Sequence, residues 1–185
     1  MANVLHEKKR PIKIALIGGA RTGKDTVARY LCQQYGGFKR LAFGDALKDY
    51  LFQVFPDLPT EPKPRKEMIM FGQACREIDP QVWIKQLDIM SSMYKGVGVN
   101  RFVITDLRQE NEVEYCKEKG YLIIKVEATA DLQRARALEG GELLDVNNPL
   151  DRFALEFEDY DYKIENNGDL ISLYSQIDKI MKAEK

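Results

Sequence analysis

The stretch Ile12-Lys13-Ile14-Ala15-Leu16-Ile17-Gly18-Gly19-Ala20-Arg21-Thr22-Gly23-Lys24-Asp25-Thr26 decides how this chain folds. Residues 12–17 form a short apolar run bounded by Pro11 and by Gly18-Gly19, which reads as a buried strand. Residues 18–24 then match the spacing GxxxxGK. Val27, Ala28, Leu31, Cys32 and Tyr35 follow at helical spacing, and Gly36-Gly37 supplies a helix stop. Strand, glycine loop and helix in this order make a phosphate cradle. Glycine conformations let successive backbone N–H groups wrap an anion, and the helix aims its positive end at the same point. Gly18, Gly19, Ala20, Arg21, Thr22 and Gly23 are the candidate wrapping residues, and Lys24 is placed to reach the terminal phosphates. The plain alternative is a glycine-rich turn between a strand and a helix.

Asp25 stands where such loops usually carry a Ser or Thr whose hydroxyl meets Mg²⁺, and Thr26 follows it. Either residue is a candidate metal ligand, directly or through water.

Outward from the loop, strands and helices alternate. Strand candidates are residues 38–43, 101–106, 121–128 and 162–166, and helix candidates are 46–55, 68–77, 81–94, 110–119 and 131–138. Leu170, Leu173, Tyr174, Ile177, Ile180 and Met181 mark a C-terminal amphipathic helix. Residues 56–67 hold four of the seven prolines and read as a loop. The alternation predicts an α/β fold in three layers, a mostly parallel sheet with helices on both faces. Residues 129–150 are polar and glycine-bearing and read as a small lid on a single domain spanning 1–185.

Composition sets limits on function. The chain has 185 residues, 44% hydrophobic and 31% charged, which excludes a disordered chain or a mini-protein scaffold. Lys and Arg total 28 against 29 Asp and Glu, so no nucleic-acid polymer is expected as a partner. No apolar run approaches the roughly 20 residues of a membrane span, and no membrane partner is expected. Three scattered cysteines without a CxxC suit a reducing, cytoplasmic setting. The single histidine argues against a His-based triad or metal site. The first residues, MANVLHEKKRP, lack the apolar core of a secretory leader. A homodimer is compatible with these features and is not indicated by any of them.

The blocks of this chain resemble those of the phage-type deoxynucleoside monophosphate kinases, a family of P-loop kinases. IALIGGARTGKDTVARYL (residues 14–31) resembles their phosphate loop, in which Asp after the GK is usual. FGDALK (43–48), FGQACREIDPQVWIKQL (71–87), VITDLRQENEVEYCKEKG (103–120) and DYDYKIENNGDLISL (159–173) are similar to further family blocks. The family's Ser-Glu ahead of the last strand is Leu155-Glu156 here. Phosphomevalonate kinase and dephospho-coenzyme-A kinase share parts of these blocks.

The resemblance implies ATP as donor, Mg²⁺ as cofactor and a nucleoside monophosphate as acceptor. Bringing two anions together needs a second cationic clamp, and Lys48, Arg76 and Arg108 are the candidates, each otherwise a surface ion pair. Asp106, at the end of an apolar strand, is a candidate for Mg²⁺ or for a substrate hydroxyl, otherwise a turn residue. Arg134 and Arg136 are candidate arginine fingers in the lid, otherwise a polar helix face. Phe43, Phe71 and Trp83 are candidates to stack on the acceptor base, although core is the ordinary place for two of the three. Glu156 matches an acidic position of the family and is a candidate for the acceptor, otherwise part of a solvated turn, and Asn166, Asn167 and Gly168 border the donor adenine or else cap a helix. A different class, a nucleotide-binding switch without transfer, needs no acceptor clamp.

Overall fold

The computed structural model describes residues 11–141 and 149–184. Five strands form one sheet: β1 (Ile14–Ile17), β2 (Phe38–Leu41), β3 (Arg101–Leu107), β4 (Leu122–Glu127) and β5 (Tyr162–Glu165). Their spatial order is β2-β3-β1-β4-β5, and every neighbouring pair is parallel. The helices are α1 (Lys24–Gln34), α2 (Phe43–Val54), α3 (Arg65–Ile78), α4 (Val82–Gly96), α5 (Glu110–Glu118), α6 (Ala130–Glu139), α7 (Pro149–Glu156) and α8 (Leu170–Ala183).

The pleat of β1 explains the three layers. Ala15 and Ile17 join one apolar cluster with Phe102 and Ile104 of β3, Leu47 of α2, Leu87 of α4 and Ala154 of α7. Ile14 and Leu16 point the other way, into a cluster with Leu31 of α1 and Leu173 and Ile177 of α8. Because both faces of the strand are covered, β1 is apolar at all four positions and reads as a continuous run. Truncating a buried residue such as Ile104 to Ala would cost about 2–5 kcal/mol.

Three boundaries differ from the sequence reading. The strand expected over residues 38–43 stops at Leu41, because Phe43 already opens α2 and sends its N–H to Asp106. The loop expected over 56–67 gives way to α3 at Arg65, where the carbonyl of Pro64 accepts from Met68 N at 2.9 Å. Helix α7 was not expected at all. A proline suits the first helical position, and Ala154 is fully buried beneath it. Part of the expected lid is helix α6, and residues 142–148 lie outside the described residues. No described helix is long and apolar enough to cross a membrane.

Candidate active site

The strand ends and helix starts that matter here are the carboxyl ends of β1 and β3 and the amino ends of α1 and α2. In open α/β sheets ligands collect at such ends.

The loop between β1 and α1 needs its glycines for close approach. A Cβ on Gly18 would lie 2.2 Å from the carbonyl oxygen of Val126. A Cβ on Gly23, whose φ is 104°, would lie 2.2 Å from Nδ2 of Asn166. That amide donates to the carbonyl of Thr22 at 2.8 Å. Arg21 has a φ of 59°, a left-handed turn conformation, and its carbonyl accepts from Arg136 Nη1 at 3.3 Å. Arg136 Nη2 also donates to the carbonyl of Asn166 at 3.0 Å. The loop is thus held from outside by α6 and by the segment after β5. Thr22 braces it from within, its hydroxyl donating to the carbonyl of Gly19 at 3.0 Å.

Lys24 is the buried cation of the loop. Its Nζ donates to the carbonyls of Gly18 and Gly19, both at 2.7 Å. Burial pushes its ammonium down to about 8, and the Arg108 guanidinium adds to the push. The carboxylates of Asp151, Asp25 and Asp106 act in the opposite direction. Lys24 and Arg108 follow the carboxyl ends of the neighbouring parallel strands β1 and β3.

Asp106, near the end of β3, accepts from Phe43 N at 2.8 Å on Oδ1 and from Gly44 N at 2.9 Å on Oδ2. Burial raises its carboxyl above the ordinary range, against the pull of these N–H groups and of Arg108. It therefore caps the first turn of α2, where N–H groups have no partner within the helix. Two residues on, Arg108 Nη1 lies 3.6 Å from Asp151 Oδ1. Arg76, in the last turn of α3, places Nη2 4.0 Å from Glu112 Oε1. The other oxygen of Glu112 accepts from the backbone N–H groups of Arg108 at 2.9 Å and Gln109 at 3.2 Å. Burial, with the nearby Asp106 charge, pushes Glu112 up to about 8. One side chain thus links Arg76 to the turn that carries Arg108.

Several candidates stand elsewhere. Phe43 and Trp83 are each only 3% exposed. Phe43 meets Tyr115 edge-on, and Trp83 Nε1 donates to the carbonyl of Gly72 at 3.3 Å. Both are core residues with no free face for a base. Phe71 is half-buried and packs against Trp83. Lys48 pairs with Asp45 at 3.4 Å. Glu156 is largely exposed and accepts from Arg152 at 2.8 Å, so it is not drawn into the cluster. Arg134 is exposed and pairs with Asp131 on its own helix, whereas Arg136 reaches the loop. Asn167 accepts from Thr129 N at 2.8 Å, and its neighbour Asn166 makes the loop contact instead. Asp25 is exposed on the first turn of α1 beside half-buried Thr26. Among the described residues no group of three or more His, Cys, Asp or Glu side chains is placed to hold a metal ion.

Sequence reasoning missed Asp151 and Lys125, and it placed Asn166 together with Asn167 and Gly168 at the donor adenine, whereas Asn166 braces the loop through the carbonyl of Thr22. Lys125 is 2% exposed on β4 and donates to the carbonyl of Leu155 at 3.0 Å and to Glu158 at 2.8 Å. A lysine inside the apolar run LIIKVE was the available signal for it. Asp151 carried none, because its helix was unexpected.

No family model matches the chain. It is 26% identical over 193 residues to a putative deoxynucleotide monophosphate kinase of Acanthamoeba polyphaga mimivirus, covering 90% of this chain and 94% of the relative. It is 30% identical over 104 residues to the deoxynucleotide monophosphate kinase of Escherichia phage RB69, covering 56% of this chain and 38% of the phage protein. Among solved structures, a shikimate kinase from Acinetobacter baumannii in complex with shikimate superposes with a TM-score of 0.56 at 20% identity, covering 95% and 93% of the two chains. The fold is thus that of P-loop kinases, and the sequence is similar to viral deoxynucleotide monophosphate kinases.

Proposed function

We propose that this chain is a kinase that transfers the γ-phosphoryl group of ATP to a deoxynucleoside 5′-monophosphate. The observation that carries the reading is the meeting of two sets of cations at one end of the sheet. Lys24 and the loop serve a triphosphate, while Arg76 and Arg108, from separate segments, are linked through Glu112 and serve a second anion. A nucleotide switch has no use for the second set. The named viral relatives agree with it.

In this reading the backbone of residues 18–24 and the amino end of α1 bind the donor phosphates. Lys24 exchanges its loop carbonyls for phosphate oxygens and stabilises charge on the transferring group. Arg76 and Arg108 hold the acceptor phosphate for in-line attack. An acceptor oxygen forms a bond to the γ-phosphorus as the bond to the β,γ-bridging oxygen breaks, and ADP leaves. The acceptor phosphate has its second pKa near 6, so at neutral pH it is already largely dianionic. No general base is needed, in keeping with a sequence that holds one histidine. Arg136 steadies the loop at Arg21 and Asn166 and, with the α6 segment, acts as the lid-side support.

Mg²⁺ belongs to the same reading. Asp25, a solvent-open carboxylate beside the loop lysine, fits an outer role through water, with Thr26 next to it. Asp106 fits only an indirect role, because each of its oxygens already accepts an N–H. When bound with ATP the ion supplies charge neutralisation across the phosphates. A cytoplasmic location is also part of the reading, supported by three free thiols.

Lys24→Ala tests the donor side. It should retain a normal circular-dichroism spectrum and lose on the order of 10²–10³ in kcat. Turnover above about a tenth of the unaltered protein would contradict the role, since one such contact is worth more than that.

A further inference from the structure

Four carboxyl groups lie around Lys24, Arg76 and Arg108, and three of them have other commitments or access to water. Asp106 accepts from Phe43 N and Gly44 N. Glu112 accepts from Arg108 N and Gln109 N. Asp25 is exposed. Asp151 differs. Its side chain is 14% exposed, and its Oδ1 is buried with no hydrogen-bond donor among the described residues. The same oxygen lies 3.6 Å from Arg108 Nη1, and its charge acts on Lys24.

The carboxylate is also held in place. One turn further along α7, Ala154 is fully buried in the core. The carbonyl of Leu155 accepts from the buried Lys125 at 3.0 Å, and Lys125 is tied in turn to Glu158 and Glu127. Helix α7 therefore delivers Asp151 from a fixed base. A buried acceptor without a donor is costly unless a cation balances it.

Resting on the kinase reading above, we propose that Asp151 is a positioning residue that acts through Arg108: an internal anion competing with substrate phosphate for that guanidinium. Phosphate on Arg108 faces this fixed negative charge, which weakens its hold. The competition lowers phosphate affinity and so favours release of phosphorylated products. A ligand role for Asp151, such as accepting a substrate hydroxyl, predicts the opposite sign on substitution.

The test compares the unaltered protein with Asp151→Asn and Asp151→Glu by isothermal titration. Inorganic phosphate is the probe in one arm and a deoxynucleoside monophosphate in the other, with melting curves alongside. Asp151→Asn should bind inorganic phosphate roughly tenfold tighter, the size of one like-charge contact in a partly exposed site. Asp151→Glu should return toward the original affinity, because it restores the charge. Asp151→Ser carries the same expectation as the Asn form if that variant fails to fold. Unchanged or weaker phosphate binding by the folded neutral variants would overturn the proposal. So would a Glu variant that behaves like the Asn variant. The inorganic-phosphate arm involves no transfer, so tightening there supports the role of Asp151 even if no monophosphate is phosphorylated. That second result would count against the acceptor reading alone.

Discussion

The side-chain amide of Asn166 donates to the carbonyl of Thr22 at 2.8 Å, tying the end of β5 to the glycine loop across most of the chain. The same amide nitrogen occupies the space that a Cβ on Gly23 would need. Loop and tether are thus fitted to each other, and Arg136 closes the arrangement from the carbonyl of Asn166 to that of Arg21.

Asn166→Ala should lower stability by about 1–3 kcal/mol, because it leaves a buried carbonyl without its donor. It should also weaken binding of a non-hydrolysable ATP analogue. Asn167→Ala, which removes an exposed bond to Thr129 N, should leave analogue binding unchanged. Denaturant unfolding and analogue titration of both variants check this. Equal effects on analogue binding would mean that the tether does not shape the loop.

Glu112 sets a pH dependence of stability. Its carboxyl is pushed from 4.5 up to about 8 in the folded protein, first by burial and then by the Asp106 charge. The folded state therefore holds a proton that the unfolded chain releases near its ordinary pKa. This contribution to stability is complete below about 4.5 and is lost as pH rises through about 8. Unfolding free energies measured across that window should fall with pH, and Glu112→Gln should flatten the fall. An identical slope in the Gln variant would contradict the assignment.

Arg76 and Arg108 should behave as one clamp. Replacing either with Ala should reduce kcat/KM for the monophosphate far more than it reduces affinity for the ATP analogue. Lysine should rescue only in part, because it has no planar fork. The double variant should lose less than the sum of the single losses in free energy, as groups sharing one ligand couple. Additive losses would place the two arginines at separate sites.

The phosphate loop was legible because its demands are local. Gly23 takes a positive φ, Lys24 reaches back to the carbonyls of Gly18 and Gly19 within a few residues, and an apolar β1 buried on both faces announces the sheet. The families of contacts that cross the chain were not legible in the same way. Nothing near Asn166 distinguishes it from Asn167, and only the register of β5 against β4 decides which faces the loop. Phe43 and Trp83 take the ordinary place of aromatic residues, because their helices pack them inward, and of the three candidates Phe71 alone is half-buried. Glu112 sits in a recognised block, yet its link between Arg76 and Arg108 depends on where α3 ends.

The proposed function requires that a second phosphate-bearing substrate binds beside the donor loop and receives the phosphoryl group. The most direct measurement is ADP release from ATP and Mg²⁺ in a coupled assay, with and without each of the deoxynucleoside monophosphates in turn. At least one monophosphate should stimulate release strongly, with stoichiometric formation of its diphosphate, and Arg76→Ala and Arg108→Ala should abolish the stimulation. Slow ADP release that no monophosphate accelerates would contradict the proposed function and would favour a nucleotide switch on the same fold.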